Sequence, residues 1–100
     1  MMLYHTTHRR YLKSILREGL LAKCDSSLFP VVWLHTRNAI LKAREQVLLH
    51  HFWNATDLVV IRVWLPRTVT VFKTNGCEFV AVDLPADAIR GLVGDCPPAR

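Results

Sequence analysis

Residues 58–65, Leu-Val-Val-Ile-Arg-Val-Trp-Leu, limit the possible folds of this chain more than any other stretch. Val59, Ile61, Val63 and Leu65 alternate with Val60, Arg62 and Trp64, so an extended segment here is apolar on nearly both faces. Such a strand belongs in the middle of a sheet, with cover on both sides. Pro66 ends it, because proline has no N–H to give a ladder. The rest of the chain must then supply neighbouring strands and covering helices.

The first half offers two helices. Residues 3–7 read as a short strand, and Thr7 is placed as the N-cap of a helix that presents Tyr11, Leu12, Ile15 and Leu16 on one face. Arg9, Arg10, Lys13 and Arg17 fall on its polar side. Gly19 is predicted to take the left-handed position after the helix, with Leu20 folding back. Residues 22–29 lack any hydrophobic period and read as a loop. From Pro30 a second strand runs to His35, with Val32 and Leu34 on one face and Val31, Trp33 and His35 on the other. Thr36 is placed as the cap of a second helix over residues 37–52.

The second half is extended. After a turn at residues 54–56 and the central strand, residues 68–74 read as a strand and Asn75-Gly76 as a hairpin turn. Residues 78–84 follow, with Glu78, Val80 and Val82 on one face and Phe79 and Ala81 on the other. A turn at 85–88 leads to a closing segment at 89–93. The order β-α-β-α-β-β-β plus a closing strand predicts an α+β single domain over residues 1–94, its two early helices packed on a split, mostly antiparallel sheet. Residues 95–100 are expected to be a frayed tail.

Composition narrows the setting. One hundred residues with 51% hydrophobic and 21% charged residues can bury one core and are too apolar for disorder. No run reaches the roughly 20 apolar residues of a membrane helix. The first residues enter a strand pattern with no basic region and apolar run, so a cytoplasmic protein is expected. A net charge of +5 favours phosphate-bearing partners, although solvated helix faces account for the same charges. Cys24, Cys77 and Cys96 form no C-x-x-C pair, and of the five histidines only His50 and His51 are adjacent, so neither a disulfide framework nor a metal site is expected. No glycine-rich phosphate loop of the Rossmann or P-loop kind is present.

Tyr4-His5-Thr6-Thr7, the helix ending in Gly19-Leu20, Val31-Val32-Trp33-Leu34 and Cys77-Glu78-Phe79-Val80-Ala81-Val82 occur in an order that resembles the ADP-ribosyltransferase fold. The likeness is to its histidine–tyrosine–glutamate branch of diphtheria-type toxins and poly(ADP-ribose) polymerases. The opening is also similar to DNA-modifying ADP-ribosyltransferase toxins and RNA 2′-phosphotransferases. This resemblance implies an enzyme that takes NAD as co-substrate. It implies that His5 bonds the adenine-side ribose, that Thr7, with Thr6 beside it, holds the nicotinamide carboxamide, and that Trp33 stacks on the nicotinamide ring. Glu78 would bind the nicotinamide-side ribose as the catalytic residue. Thr6 stands where many members have glycine, and Trp33 where tyrosine is usual. The long insertions that bind acceptors in larger members have no counterpart here, which leaves a protein or nucleic-acid acceptor open.

The chemistry suits those residue types. Breaking the nicotinamide–ribose bond builds oxocarbenium-like charge, and a fixed carboxylate stabilises that charge most in the transition state. Read without the resemblance, His5 also serves as a strand-end tie, Thr7 as a simple cap, Trp33 as core, and Glu78 as an exposed strand terminus. Other functions fit the same pattern. They are RNA 2′-phosphate transfer to NAD, a non-catalytic module that binds NAD, ADP-ribose or nucleic acid, and a metal-independent ribonuclease using His5 or His35 with Arg9.

Overall fold

The structure, a computed structural model, describes residues 1–22, 31–51, 53–74 and 77–95. Strand β1 (Met2–His8) leads through a 3₁₀ turn (Arg9–Tyr11) into helix α1 (Leu12–Glu18). Strand β2 (Val32–Leu34), a second 3₁₀ turn (Arg37–Ala39) and helix α2 (Ile40–His51) follow. The second half holds β3 (Leu58–Trp64), β4 (Phe72–Thr74), β5 (Cys77–Val80) and β6 (Ile89–Asp95). They form two antiparallel three-stranded sheets, β1-β3-β6 and β2-β5-β4. The α+β expectation and the split sheet therefore hold, and the doubly apolar strand β3 is central in its sheet.

Burial follows the strand alternation. Leu58, Val59, Val60, Ile61 and Val63 are buried, whereas Arg62 and Trp64 are exposed. The core gathers Leu3, Ile61 and Val63 from the first sheet, Val32, Leu34 and Val80 from the second, and Ile15 from α1. Each such side chain contributes roughly 1.5–3 kcal/mol on burial. The two sheets thus meet on their apolar faces, and the face of each that carries these residues is called inner below.

Several boundaries differ from the sequence expectation. Thr7 is not a helix cap: β1 runs on to His8, Thr7 lies opposite Val59, and the His8 Nδ1 accepts the Arg10 N–H at 3.0 Å. Sheet pairing to β3 outweighs the local capping preference of threonine. Thr36 occupies the N-cap of the second helical segment, but its side chain makes no capping bond, and its carbonyl accepts the Ala39 N–H instead. The expected strand at 68–74 shortens to β4, since a turn with a Val69 N–H to Pro66 carbonyl bond takes up its start. The strand at 78–84 likewise ends at Val80, leaving Val82 exposed rather than inward. Asn75-Gly76, the loop from residue 23 to 30, Phe52 and residues 96–100 lie outside the described residues; Asp95, assigned to the tail, closes β6.

Gly19 ends α1 as foreseen, but not in the left-handed helical conformation. Its φ of 86° and ψ of −166° belong to a region open almost only to glycine. The N–H of Gly19 closes on the Ile15 carbonyl at 2.7 Å, and the chain leaves extended. Leu20 and Leu84 then exchange backbone bonds at 2.8 Å, and Asp83 accepts the Ala22 N–H at 2.7 Å. A Cβ at Gly19 would collide with the Leu84 carbonyl oxygen. Gly19→Ala is expected to destabilise the protein by about 3 kcal/mol or more, a fall in Tm above roughly 10 °C for a domain this size. Thermal unfolding by circular dichroism checks this, and a shift under about 3 °C contradicts the geometry.

Candidate functional site

The two sheets touch at one rung. Tyr4 of β1 and His35, just past β2, exchange both backbone bonds at 2.8 Å, and this bridge stands isolated. In a continued antiparallel ladder the Trp33 carbonyl would accept the N–H of Thr6. It is instead bonded by the His5 ring at 2.7 Å. A carbonyl only accepts, so His5 carries its proton on Nδ1. The imidazole takes the place of the next rung, and the strands part beside it.

Around this point polar and apolar side chains interleave on the inner faces. On β1 the inner positions run Leu3, His5, Thr7, opposite Val63, Ile61 and Val59. On β2 and β5, Val32 pairs with Val80 and Leu34 with Glu78. One step on from the Tyr4–His35 bridge sets His5 beside Leu34, so His5, Leu34 and Glu78 share one cross-strand row. His5 and Glu78 are then about two strand spacings apart, roughly 10 Å between backbones. Among the described residues the buried polar side chains are Thr6, Thr7, His35 and Glu78, and all four sit around this junction.

Glu78 is the most unusual of them. It is only 7% exposed, and its Oε2 has no hydrogen-bond partner among the described residues. Lys73 lies opposite it on β4 but is solvent-exposed, with no ion pair to Glu78 among the described residues. A buried carboxylate oxygen left without a protein partner is costly unless water, an ion or a ligand group bonds it.

His35 was weighed in the sequence only as an alternative ribonuclease base. In the fold it joins the site from the opposite face. Its Nδ1 donates to the Thr36 carbonyl at 3.0 Å, which leaves Nε2 to accept the Thr6 hydroxyl at 2.8 Å. Its ring stacks on Tyr4 at a 6.2 Å centroid separation. Burial pushes the His35 imidazole below its ordinary value, against the raising effects of the Thr36 bond and the nearby charge of Glu78. A neutral, doubly hydrogen-bonded His35 therefore fixes Thr6 and senses Glu78.

The structure thus brings His5, Thr7 and Glu78 to one face, and turns Thr6 to the other against His35. Trp33 does not join them. Its indole lies on the face of β2 opposite Leu34, packed on Phe79 at 5.2 Å, and Phe79 in turn stacks on Phe72. The backbone carbonyl of Trp33, not its ring, meets His5. A groove of about 380 Å³ lined by Thr68, Val69, Thr70, Phe72, Ala81 and Val82 offers no titratable group, so the chemistry is not sought there. Among the described residues no three His, Cys, Asp or Glu side chains gather as metal ligands would, and no helix is long and apolar enough to cross a membrane.

No protein-family model matches the chain, and the search of curated proteins gave no match.

The His35 environment sets a pH dependence. Its folded pKa is depressed, so the unfolded chain takes up a proton that the folded chain resists. The stability contributed by neutral His35 is complete above about pH 6.5 and declines as pH falls below it. Tm measured from pH 8 to pH 5 is expected to drop more steeply in the parent protein than in His35→Asn; identical slopes contradict a buried neutral imidazole.

Proposed function

We propose that this protein has an ADP-ribosyltransferase-like fold and binds NAD at the junction of its two sheets. There it cleaves the nicotinamide–ribose bond and passes ADP-ribose to an acceptor or to water. The observation that carries this reading is the buried Glu78 oxygen, without a partner among the described residues, in one inner-face row with His5. The order of motifs along the chain supports it independently.

In this reading Glu78 accepts a hydrogen bond from the 2′-OH of the nicotinamide-side ribose. As the C–N bond breaks, nicotinamide leaves with the bonding electron pair and needs no proton, because its ring nitrogen was already cationic. Positive charge spreads over the ribose C1′ and ring oxygen, and the Glu78 carboxylate, held in a dry setting, stabilises it. The acceptor's nucleophile then attacks C1′ and releases its own proton. His5, held by the Trp33 carbonyl, orients a ribose, and Thr7 on the same face contacts the carboxamide. Rigid backing comes from the Thr6–His35 bond behind β1. The indole of Trp33 has no part in this version of the site.

Glu78→Gln keeps the shape and removes the charge. It is expected to lower nicotinamide release from NAD by roughly 10²–10³-fold, the scale of one lost charge-stabilising group, while NAD affinity stays within a few-fold. Release is followed by chromatography and affinity by calorimetry. Parallel loss of both would make Glu78 a structural residue. NAD raising Tm with no turnover in the parent protein would identify a binding module instead.

A further inference from the structure

A second cluster of chemistry-bearing side chains stands outside the proposed NAD site, at the outer end of β1. Here His8, Tyr11, His51 and Trp53 converge from three parts of the chain. Trp53 stacks on His51 at 4.2 Å and 13°, meets His8 edge-on at 5.2 Å, and lies 6.0 Å from Tyr11. The Arg10 guanidinium sits over both large rings, 5.0 Å from Tyr11 and 5.6 Å from Trp53. None of these side chains belongs to the hydrophobic core, and Tyr11 is 42% exposed.

Arg10 joins this ring cluster to the strongly cationic polar side of the neighbouring helical segment. Arg9, Lys13 and Arg17 recur every four residues, and all are exposed beside Arg10. Lys13 and Arg17 stand one turn of α1 apart, about 6 Å along its axis, and Arg9 precedes them on the 3₁₀ turn, so the three make a cationic stripe. The acids in contact are few: Asp57 lies 3.8 Å from the His8 ring, and Glu18 lies 3.9 Å from Arg17 in a largely exposed pair of little strength.

We propose that this surface binds single-stranded nucleic acid. The stripe of Arg9, Lys13 and Arg17 follows the phosphates. Tyr11 and Trp53 provide ring faces for unpaired bases, and Arg10 exchanges its place over the rings for a phosphate as a base arrives. An anionic membrane or an acidic protein would use the cations without needing the rings. A duplex hides its base faces, so the combination favours a single strand. This inference is independent of the NAD reading.

The test is fluorescence anisotropy with a labelled mixed-sequence 12-mer, as single-stranded DNA, single-stranded RNA and duplex DNA, at stepped salt and without NAD. Both single strands, or one of them, are expected to bind more tightly than the duplex. The logarithm of affinity should fall with log salt at a slope of about −2 to −3, for three to four neutralised phosphates. Trp53→Leu should weaken single-strand binding roughly five- to a hundredfold with that slope unchanged. Lys13→Gln with Arg17→Gln should instead flatten the slope by about 1.4. If Trp53→Leu does not fold, the exposed Tyr11→Leu takes its place. Absent binding at low salt, equal affinity for the duplex, or displacement by anionic phosphatidylserine vesicles with no effect of either ring variant overturns the proposal.

Discussion

One hydrogen-bonded rung, Tyr4 with His35, determines how the two sheets meet. A full ladder between β1 and β2 would merge them into one continuous sheet. The His5 ring prevents this by taking the Trp33 carbonyl that the next rung would have used. The sheets are therefore joined by one backbone rung, and the ladder stops beside it. Leu3, Val32, Leu34 and Val63 on the inner faces belong to the apolar core, and His5, Thr7 and Glu78 stand among them on those same faces. Apolar core positions and buried polar groups thus come from the same alternation of side chains along the same strands.

The polar groups at this junction are arranged at two depths. Thr6 and His35 satisfy one another and the Thr36 carbonyl, so they hold β1 and the end of β2 in register without demanding a ligand. Glu78 is different, because its buried Oε2 is left without a partner among the described residues. A satisfied pair behind and an unsatisfied carboxylate in front is what a preorganised charge-stabilising site needs. In the proposed site the rigid pair would fix the geometry, and the carboxylate would meet the charge that develops on the ribose.

Much of the fold was legible in the sequence. The doubly apolar run of residues 58–65 marked the central strand, and Gly19 marked the end of the first helix. Periodicity also put Glu78 on the same face as Val80, which the register of β5 bears out. What periodicity could not show was where strands stop. Thr7 has the local chemistry of a cap, but its pairing with Val59 is a contact 52 residues away and outweighs it. Val82 looked inward by alternation until β5 ended at Val80. The importance of His35 was hidden for the same reason: its partner Thr6 lies 29 residues distant, and no local pattern announces the bond. The position of Trp33 on the far face from Leu34 follows from strict alternation. The resemblance to a nicotinamide platform pointed elsewhere, whereas the aromatic row Trp33–Phe79–Phe72 shows what the indole packs on.

The proposed NAD site requires that the ribose beside nicotinamide reach Glu78 near His5. A crystal structure with a non-hydrolysable carba-analogue of NAD tests it most directly. The expected result places the 2′-OH of the nicotinamide-side ribose analogue within about 3 Å of a Glu78 carboxylate oxygen, with His5 contacting the same ligand. A dinucleotide seated on the outer aromatic row, or one that leaves Glu78 buried and untouched, would contradict the account.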